Sequence, residues 1–244
     1  MTVRARIGAV GPDDDYPEDF HFLDELRSFL PEGVRLDWSP TPPPTVDVTV
    51  EFLISLAEST DIEEAARKLV PLKPACIMYP CTSCSFVKGV GYDEEISRRI
   101  EAATGVPATT TSTAMVRALR ALGIEKVAVG APYLQEVTDT LTKFLEDSGF
   151  AVVKVKTLNM TRGRDIFRLP YEEVAHLIRE TDAPEAEGIF ISCTNLRTAT
   201  IIEDLEREMR KPVVTANQAT VWDALRIMGM SDFPGGVGCL FSHA

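Results

Sequence analysis

The chain has 244 residues, 45% hydrophobic and 25% charged, a composition typical of a globular protein with one large domain or two small ones. Its net charge of −12 argues against a nucleic acid or an anionic membrane as partner, because like charges repel. No apolar run reaches the roughly 18 residues of a membrane span, and the first residues resemble a strand rather than a signal peptide. Five cysteines, an odd number, favour a reduced cytoplasmic protein.

Short apolar runs alternate with helical patterns along the chain. The predicted strands, in chain order, cover residues 5–10, 34–38, 75–79, 108–110, 126–129, 151–157, 188–192 and 212–215. The predicted helices cover residues 20–29, 62–69, 93–104, 112–122, 134–148, 171–180, 198–209 and 219–228. We predict connecting segments at the proline-rich residues 39–45 and at residues 162–170. This alternation is typical of an α/β protein with mainly parallel strands and crossover helices.

Two stretches of the chain resemble each other. Residues 75–83 and 188–195 each form an apolar run that ends in Cys-Thr and a small polar residue, which places Cys81 opposite Cys193. Farther along, residues 105–116 and 210–221 each predict a strand, a polar N-cap and a helix, with Ser112 opposite Asn217. The match predicts an internal repeat of two βαβα units, and chance similarity between such units is the alternative.

In such a repeat, the two cysteines would occupy equivalent places. Each would follow a parallel strand and precede a helix N-terminus, where open α/β sheets bind ligands. The free N–H groups there attract carboxylates and lower the pKa of a nearby thiol. Two facing halves would place Cys81 and Cys193 on opposite sides of one cleft, an arrangement suited to proton transfer or nucleophilic attack without a cofactor.

The cysteines also allow other interpretations. Cys81 and Cys84 form a Cys-x-x-Cys motif, which is compatible with a redox pair. A zinc site is disfavoured, because none of the three histidines lies at ligand spacing from a cysteine. We expect Cys84 to be a packing residue and Cys76 and Cys239 to fill the core, since buried cysteine is a common small hydrophobic residue.

These motifs resemble the aspartate/glutamate racemase superfamily, in particular its branch of maleate cis-trans isomerases and arylmalonate decarboxylases. The resemblance rests on the Cys-Thr motifs at 81–83 and 192–195 and on residues 130–137, Gly-Ala-Pro-Tyr-Leu-Gln-Glu-Val. It extends over residues 6–226. It implies two pseudo-symmetric, flavodoxin-like domains, each a parallel four-stranded sheet flanked by helices, with the active site between them. We predict that residues 1–115 with 226–244 form one lobe and residues 116–225 the other.

The resemblance also implies roles for individual residues, with no cofactor and no metal. Isomerases and racemases of the family carry both cysteines, whereas its decarboxylases carry glycine in place of the first. Cys81 is implied as the nucleophile and Cys193 as its acid–base partner. Tyr133 matches a family tyrosine that contacts a substrate carboxylate. The other substrate-binding residues that the resemblance implies are Thr82, Ser83, Thr194, Asn195 and, by a weaker match, Asn159.

The implied activity is isomerisation of a small carboxylic acid, foremost cis–trans isomerisation of maleate or a related enedioate through a cysteine adduct and an enediolate. The alternatives are amino-acid racemisation, arylmalonate-type decarboxylation and binding of a small acid without catalysis. One loop departs from the family. Asp13, Asp14 and Asp15 stand where the isomerases carry an asparagine that holds a carboxylate, which disfavours a dianion and favours an amino acid or a mono-acid. We also expect a homo-oligomer.

Overall fold

Two parallel four-stranded sheets form the framework of the computed structural model, which describes residues 3–13, 22–42 and 48–243. The first sheet has the order β2-β1-β3-β4 and the second the order β6-β5-β7-β8. The strands are β1 (Ala5–Pro12), β2 (Val34–Thr41), β3 (Cys76–Tyr79), β4 (Ala108–Thr110), β5 (Lys126–Ala131), β6 (Ala151–Thr157), β7 (Gly188–Ile191) and β8 (Val213–Thr215). The identical order confirms the predicted α/β class and the internal repeat.

Helices cover both sheets. The described part of the chain contains α1 (Phe22–Arg27), α2 (Val50–Glu58), α3 (Asp61–Leu69), α4 (Thr82–Phe86), α5 (Tyr92–Thr104), α6 (Thr111–Ala121), α7 (Gln135–Asp147), α8 (Gly163–Phe167), α9 (Tyr171–Thr181), α10 (Ile202–Met209) and α11 (Ala216–Ile227). Short 3₁₀ turns cover Val70–Leu72 and Cys239–Ser242. None of the helices in the described residues is long and apolar enough to cross a bilayer.

Most element boundaries agree with the sequence prediction within a few residues. The differences outside the cysteine segments concern α2, α8 and β2. Helix α2 is missing from the prediction, although the Thr49 cap and the buried Leu53 and Ala57, four residues apart, are helical signals. Helix α8 lies within the predicted connection 162–170, and β2 continues through Pro40 to Thr41 into the predicted proline-rich connection. Pro40 is tolerated because β2 is an edge strand.

The central strands of both sheets are buried on both faces. Every residue of β3 and of β7 is buried, as expected for parallel strands covered by helices on either side. The strands therefore end inside the molecule rather than at its surface. The residues that follow them are positioned by the packing of the two halves.

Helices α6 and α11 connect the two halves. Helix α11 follows the second sheet but packs against α6 and against β3 and β4 of the first sheet. Asp223 of α11 accepts hydrogen bonds from Thr109 Oγ1 at 2.6 Å and from Arg117 Nη1 at 2.9 Å. The predicted division into lobes 1–115 with 226–244 and 116–225 stays a prediction.

Candidate active site

A cavity of about 60 Å³ lies where the carboxyl ends of β3 and β7 face each other. Both Cys81 and Cys193 line it, and each is 8% exposed. The structure thus brings to one place two thiols that are 112 positions apart in the sequence. The predicted substrate-binding residues Thr82, Ser83, Tyr133, Thr194 and Asn195 also line the cavity.

Cys81 begins a short helix. It follows the last residue of β3 and Pro80, has extended backbone angles (φ −137°, ψ 102°), and precedes the first residue of α4, Thr82. The first N–H groups of a helix have no carbonyl partner within it, so this turn has donors to offer to an anion. The Ser85 hydroxyl lies 2.8 Å from the Cys81 carbonyl oxygen and 2.7 Å from the Ser112 hydroxyl, which fixes the turn from within.

Thr82 has a hydroxyl group without a partner. The residue is 1% exposed, and within the described part of the chain its Oγ1 atom makes no hydrogen bond. Buried hydroxyl groups are nearly always hydrogen-bonded, because leaving one unpaired costs about 1–3 kcal/mol. Because Thr82 lines the cavity, this hydroxyl is suited to a ligand oxygen.

Cys193 lies in a different local structure. Its φ angle is 98°, in the left-handed region that non-glycine residues rarely adopt, at a cost of roughly 1–3 kcal/mol. A turn closes after it, with Leu196 N–H donating to the Cys193 carbonyl oxygen at 3.2 Å, and α10 begins only at Ile202. The predicted helix at residues 198–209 therefore starts too early, and the expected helix N-terminus next to Cys193 is wrong. Strained residues of this kind concentrate at functional sites.

A buried asparagine supports the turn after Cys193. Asn217 Nδ2 donates to the Thr194 carbonyl oxygen at 2.8 Å and lies 3.4 Å from that of Leu196. In the first half, Ser112 Oγ lies 3.3 Å from the Thr82 carbonyl oxygen. Ser112 and Asn217 are the residues that the sequence repeat aligned, so equivalent positions contact equivalent carbonyl groups in the two halves.

Tyr133 follows β5 and is 4% exposed. Its hydroxyl accepts a hydrogen bond from Ser192 Oγ at 3.2 Å. Burial raises the pKa of the Tyr133 phenol well above its ordinary value, and the nearby Cys193 and Cys81 thiols raise it further. The phenol therefore stays protonated and can donate a hydrogen bond into the cavity.

A second buried tyrosine, Tyr79, ends β3 close to the first thiol. Burial raises its pKa well above the ordinary value, with further contributions from the adjacent Cys84 and Cys81. Tyr79 is not among the predicted site residues. Its position two residues before Cys81 does not by itself show that its side chain lies beside Cys81 and Cys84, so only the structure identifies this neighbour.

The rest of the cavity wall is apolar, and sequence reasoning missed it. Helix α2 supplies Phe52, Leu53 and Leu56, and the segment around α8 supplies Met160 and Ile166. These elements are α2 and α8, which were absent from the predicted set. Among the described residues that line the cavity, none is charged. The described residues also contain no cluster of three or more His, Cys, Asp or Glu side chains suited to a metal ion.

The structure does not place the predicted residue Asn159 at the cavity, and it describes only part of the acidic loop. Asn159 is exposed and does not line the cavity, whereas its neighbour Met160 does. Asn159 has a φ of 54° and its N–H donates to Thr157 Oγ1 at 3.3 Å, a conformation that asparagine tolerates in turns. In the acidic loop, Asp13 is described and pairs its N–H with the Thr41 carbonyl oxygen, but Asp14 and Asp15 lie outside the described residues.

Comparisons with known proteins agree with the fold and with this site. Residues 57–241 match the family model of arylmalonate decarboxylase, and the chain belongs to this family. The arylmalonate decarboxylase of Bordetella bronchiseptica is 33% identical over 75% of this chain and 76% of its own length. A maleate isomerase of Pseudomonas putida is 24% identical over 100% of both chains.

A solved structure extends the match to nearly the whole fold. A liganded arylmalonate decarboxylase, with one glycine changed to cysteine and one cysteine to serine, superposes with a TM-score of 0.88 at 29% identity. The match covers 98% of this chain and 100% of that one. The resemblance to the racemase-like branch is thus confirmed, and the family is one of isomerases and decarboxylases.

Proposed function

We propose that this chain is an isomerase that acts on a small carboxylic acid with two thiols, Cys81 as nucleophile and Cys193 as acid–base partner. The observation that carries the proposal is that both thiols line one buried cavity, from corresponding strands of the two halves. The presence of Cys81 favours an isomerase over a decarboxylase, since the decarboxylases resembled by this chain carry glycine at that place.

For cis–trans isomerisation, the Cys81 thiolate adds to one alkene carbon of the acid. A C–S bond forms, and the π electron pair moves to the other carbon and its carboxylate as an enediolate. The Cys193 thiol gives its proton to that carbon, and the former double bond, now single, rotates. The Cys193 thiolate then removes the proton, the double bond re-forms as the C–S bond breaks, and both cysteines return to their starting states.

The enediolate requires donors that are already in place. Thr82 Oγ1, which is buried and unpaired, and the neutral Tyr133 phenol are two of the side-chain donors that line the cavity, beside Ser83, Thr194 and Asn195. The first N–H groups of α4 add backbone donors beside Cys81. Donors fixed in a dry site are effective because they need no reorganisation when the charge develops, and removal of one costs about 10²–10³ in rate.

The apolar wall favours a particular kind of acid. A carboxylate that faced Phe52, Leu56 and Ile166 would lose its hydration without a cation in exchange, which is costly. We therefore favour an acid that places one carboxylate at the polar end and an apolar substituent against α2. The same observation favours a second candidate reaction, racemisation, in which one thiolate removes the α-proton and the opposite thiol returns one.

An NMR screen in D₂O tests the proposal. The panel comprises maleate, methyl-substituted maleate, arylmalonates, 2-arylpropionates and amino acids. The NMR spectra report isomerisation, decarboxylation and α-deuteration in one measurement. We expect cis–trans conversion or α-deuteration of at least one acid, with the strongest signal from those that carry an apolar group. Binding of an acid without any exchange or conversion would instead identify a silent binding protein.

The redox interpretation has its own test. It requires a reversible disulfide between Cys81 and Cys84, and Cys84 is fully buried in α4. Under the two-thiol proposal, Cys84→Ala keeps its turnover within a few-fold. A complete loss in Cys84→Ala, together with a disulfide detected by mass spectrometry, would favour the redox role.

A further inference from the structure

Glu25 is a buried carboxylate that the proposed reaction does not use. It lies on α1, is 6% exposed, and does not line the cavity. Buried carboxylates are rare unless they are paired or hydrogen-bonded, because desolvation of the charge is costly. Its partners therefore indicate what it does.

The carboxylate binds the segment that follows Cys193. Its Oε1 atom accepts hydrogen bonds from Thr198 N–H at 2.5 Å, Ala199 N–H at 2.8 Å and Thr198 Oγ1 at 3.0 Å. The two peptide groups precede α10, which begins at Ile202, so no helix of their own satisfies them. Glu25, from the first half of the chain, supplies the acceptor that the second half lacks.

Glu25 and Asn217 hold this segment at two points. Asn217 Nδ2 binds the Thr194 carbonyl oxygen near its start, and Glu25 binds its end. Asn195, in the cavity wall, lies between these two points, and Cys193, with its left-handed backbone, directly precedes the first of them. A residue in such a conformation persists only when the surrounding structure determines it by several contacts.

The same helix reaches the cavity directly. Phe22, one turn before Glu25 on α1, lines the cavity. Helix α1 therefore sets part of the wall and the course of the Cys193 segment together. Arg197 lies on the same segment, and its charge lowers the pKa of Glu25, against the larger opposite effect of burial.

We propose that Glu25 is a positioning residue, which holds the segment 193–199 so that the Cys193 thiol faces the cavity. This role rests on the proposed function, in which Cys193 transfers protons. Glu25 itself touches no reacting atom.

The test measures the position of the thiol without a substrate. Iodoacetamide alkylation of Cys193 and Cys81 is followed by mass spectrometry in the wild type, Glu25→Ala and Glu25→Gln. In Glu25→Ala we expect Cys193 to react about tenfold faster relative to Cys81, because the freed segment exposes the thiol. Glu25→Gln keeps a carbonyl oxygen for the same N–H groups, so it should restore the wild-type ratio within about threefold.

Glu63→Ala is the matched control. Glu63 of α3 accepts a hydrogen bond from Arg99 Nε at 2.6 Å and does not line the cavity. Its substitution therefore also removes a hydrogen-bonded carboxylate, but away from the site. It should lower the melting temperature and leave the alkylation ratio unchanged. An unchanged ratio in Glu25→Ala overturns the proposal. If that variant does not fold, Glu25→Asp, which keeps the charge but is one methylene shorter, must show the altered ratio instead.

The outcome is independent of the reaction. An altered ratio together with no activity in the acid screen would retain the positioning role and reject the proposed isomerase. With an active acid in hand, Glu25→Ala should lower kcat about tenfold with KM nearly unchanged, and Glu25→Gln should recover it.

Discussion

The two cysteine segments occupy the same place in two halves of identical strand order, yet they are built differently. Cys81 has an ordinary extended backbone and opens a helix whose own serine fixes the turn. Cys193 has a φ of 98° and a turn instead of a helix, held by Asn217 and Glu25 from elsewhere in the chain. The repeat thus keeps the place of each thiol and one supporting contact, from Ser112 or Asn217, in both halves. The first turn adds a serine of its own helix, whereas the second adds a carboxylate from the other half of the chain.

The difference also concerns charge. The first segment offers the N–H groups of a helix start and an unpaired hydroxyl, Thr82 Oγ1. In the second segment, the N–H groups of Thr198 and Ala199 are bound by a carboxylate of the same protein. The two halves therefore differ in whether these donors already have an acceptor within the protein.

The largest expected effect comes from the thiols themselves. Cys81→Ser and Cys193→Ser should each lower turnover by at least about 10³-fold, because each removes one member of a pair that acts as a unit. Turnover is measured by NMR on the acid found in the D₂O screen. Full activity in either serine variant would contradict the two-thiol mechanism.

Cys76→Ala and Cys239→Ala are the matched controls for these variants. Cys76 is fully buried in β3, and Cys239 contacts Glu206 with its Sγ atom 3.1 Å from Oε1. Both residues lie outside the cavity wall, so these substitutions should lower the melting temperature and leave kcat unchanged.

The substitution Cys81→Gly tests whether the first thiol is needed for the reaction. Decarboxylation that survives this change would place the chain with the decarboxylases.

The next effect concerns Tyr133. Tyr133→Phe removes the hydroxyl that contacts Ser192 and lies beside the Cys193 thiol, and it should lower kcat about 10²-fold without unfolding the protein. Tyr92→Phe serves as the control, since the Tyr92 hydroxyl binds the Ala57 carbonyl oxygen outside the cavity. Equal activities of the two variants would show that the Tyr133 hydroxyl does not stabilise the enediolate.

A smaller effect should separate Asn217 from Ser112. Asn217→Ala leaves the Thr194 carbonyl oxygen without its donor and should destabilise the fold by about 1–3 kcal/mol. Ser112→Ala should cost less, since Ser85 keeps the Cys81 carbonyl oxygen as partner. Thermal melting compares the two, at about 2–4 °C for each kcal/mol. A larger loss in Ser112→Ala would contradict the view that the second segment depends more strongly on tertiary support than the first.

The smallest effect is a pH dependence. Burial raises the pKa of Glu25 above its ordinary value of 4.5, against the hydrogen bonds from Thr198 and Ala199 and the charge of Arg197. The folded state then binds this proton more tightly than the unfolded state, so the contribution of Glu25 to stability falls as pH rises from about 4.5 through the folded pKa. As the pH rises from 4.5 to 8, the melting temperature of the wild type should therefore fall relative to that of Glu25→Gln. The opposite trend would mean that the hydrogen bonds outweigh burial.

Much of the fold and the centre of the site could be predicted from the sequence alone. Strand and helix patterns are local, and parallel strands place their carboxyl ends at one edge, so the Cys-Thr motifs after β3 and β7 indicated a shared cavity. Tyr133, which follows β5, was indicated by the family resemblance and not by the local pattern. The predicted roles of these residues stay predictions until the variants are measured.

Only the tertiary structure decided the remaining features. The apolar wall is built from residues of α2 and of the segment around α8, and such residues have the same local pattern as residues of any core. The left-handed backbone of Cys193 and the exposed position of Asn159 depend on turns whose course is set by contacts from distant elements. Glu25 and Thr198 lie 173 positions apart, and no periodicity in the chain links a carboxylate to the two N–H groups that need it. Local patterns thus determined where the thiols are, whereas long-range packing determined what surrounds and holds them.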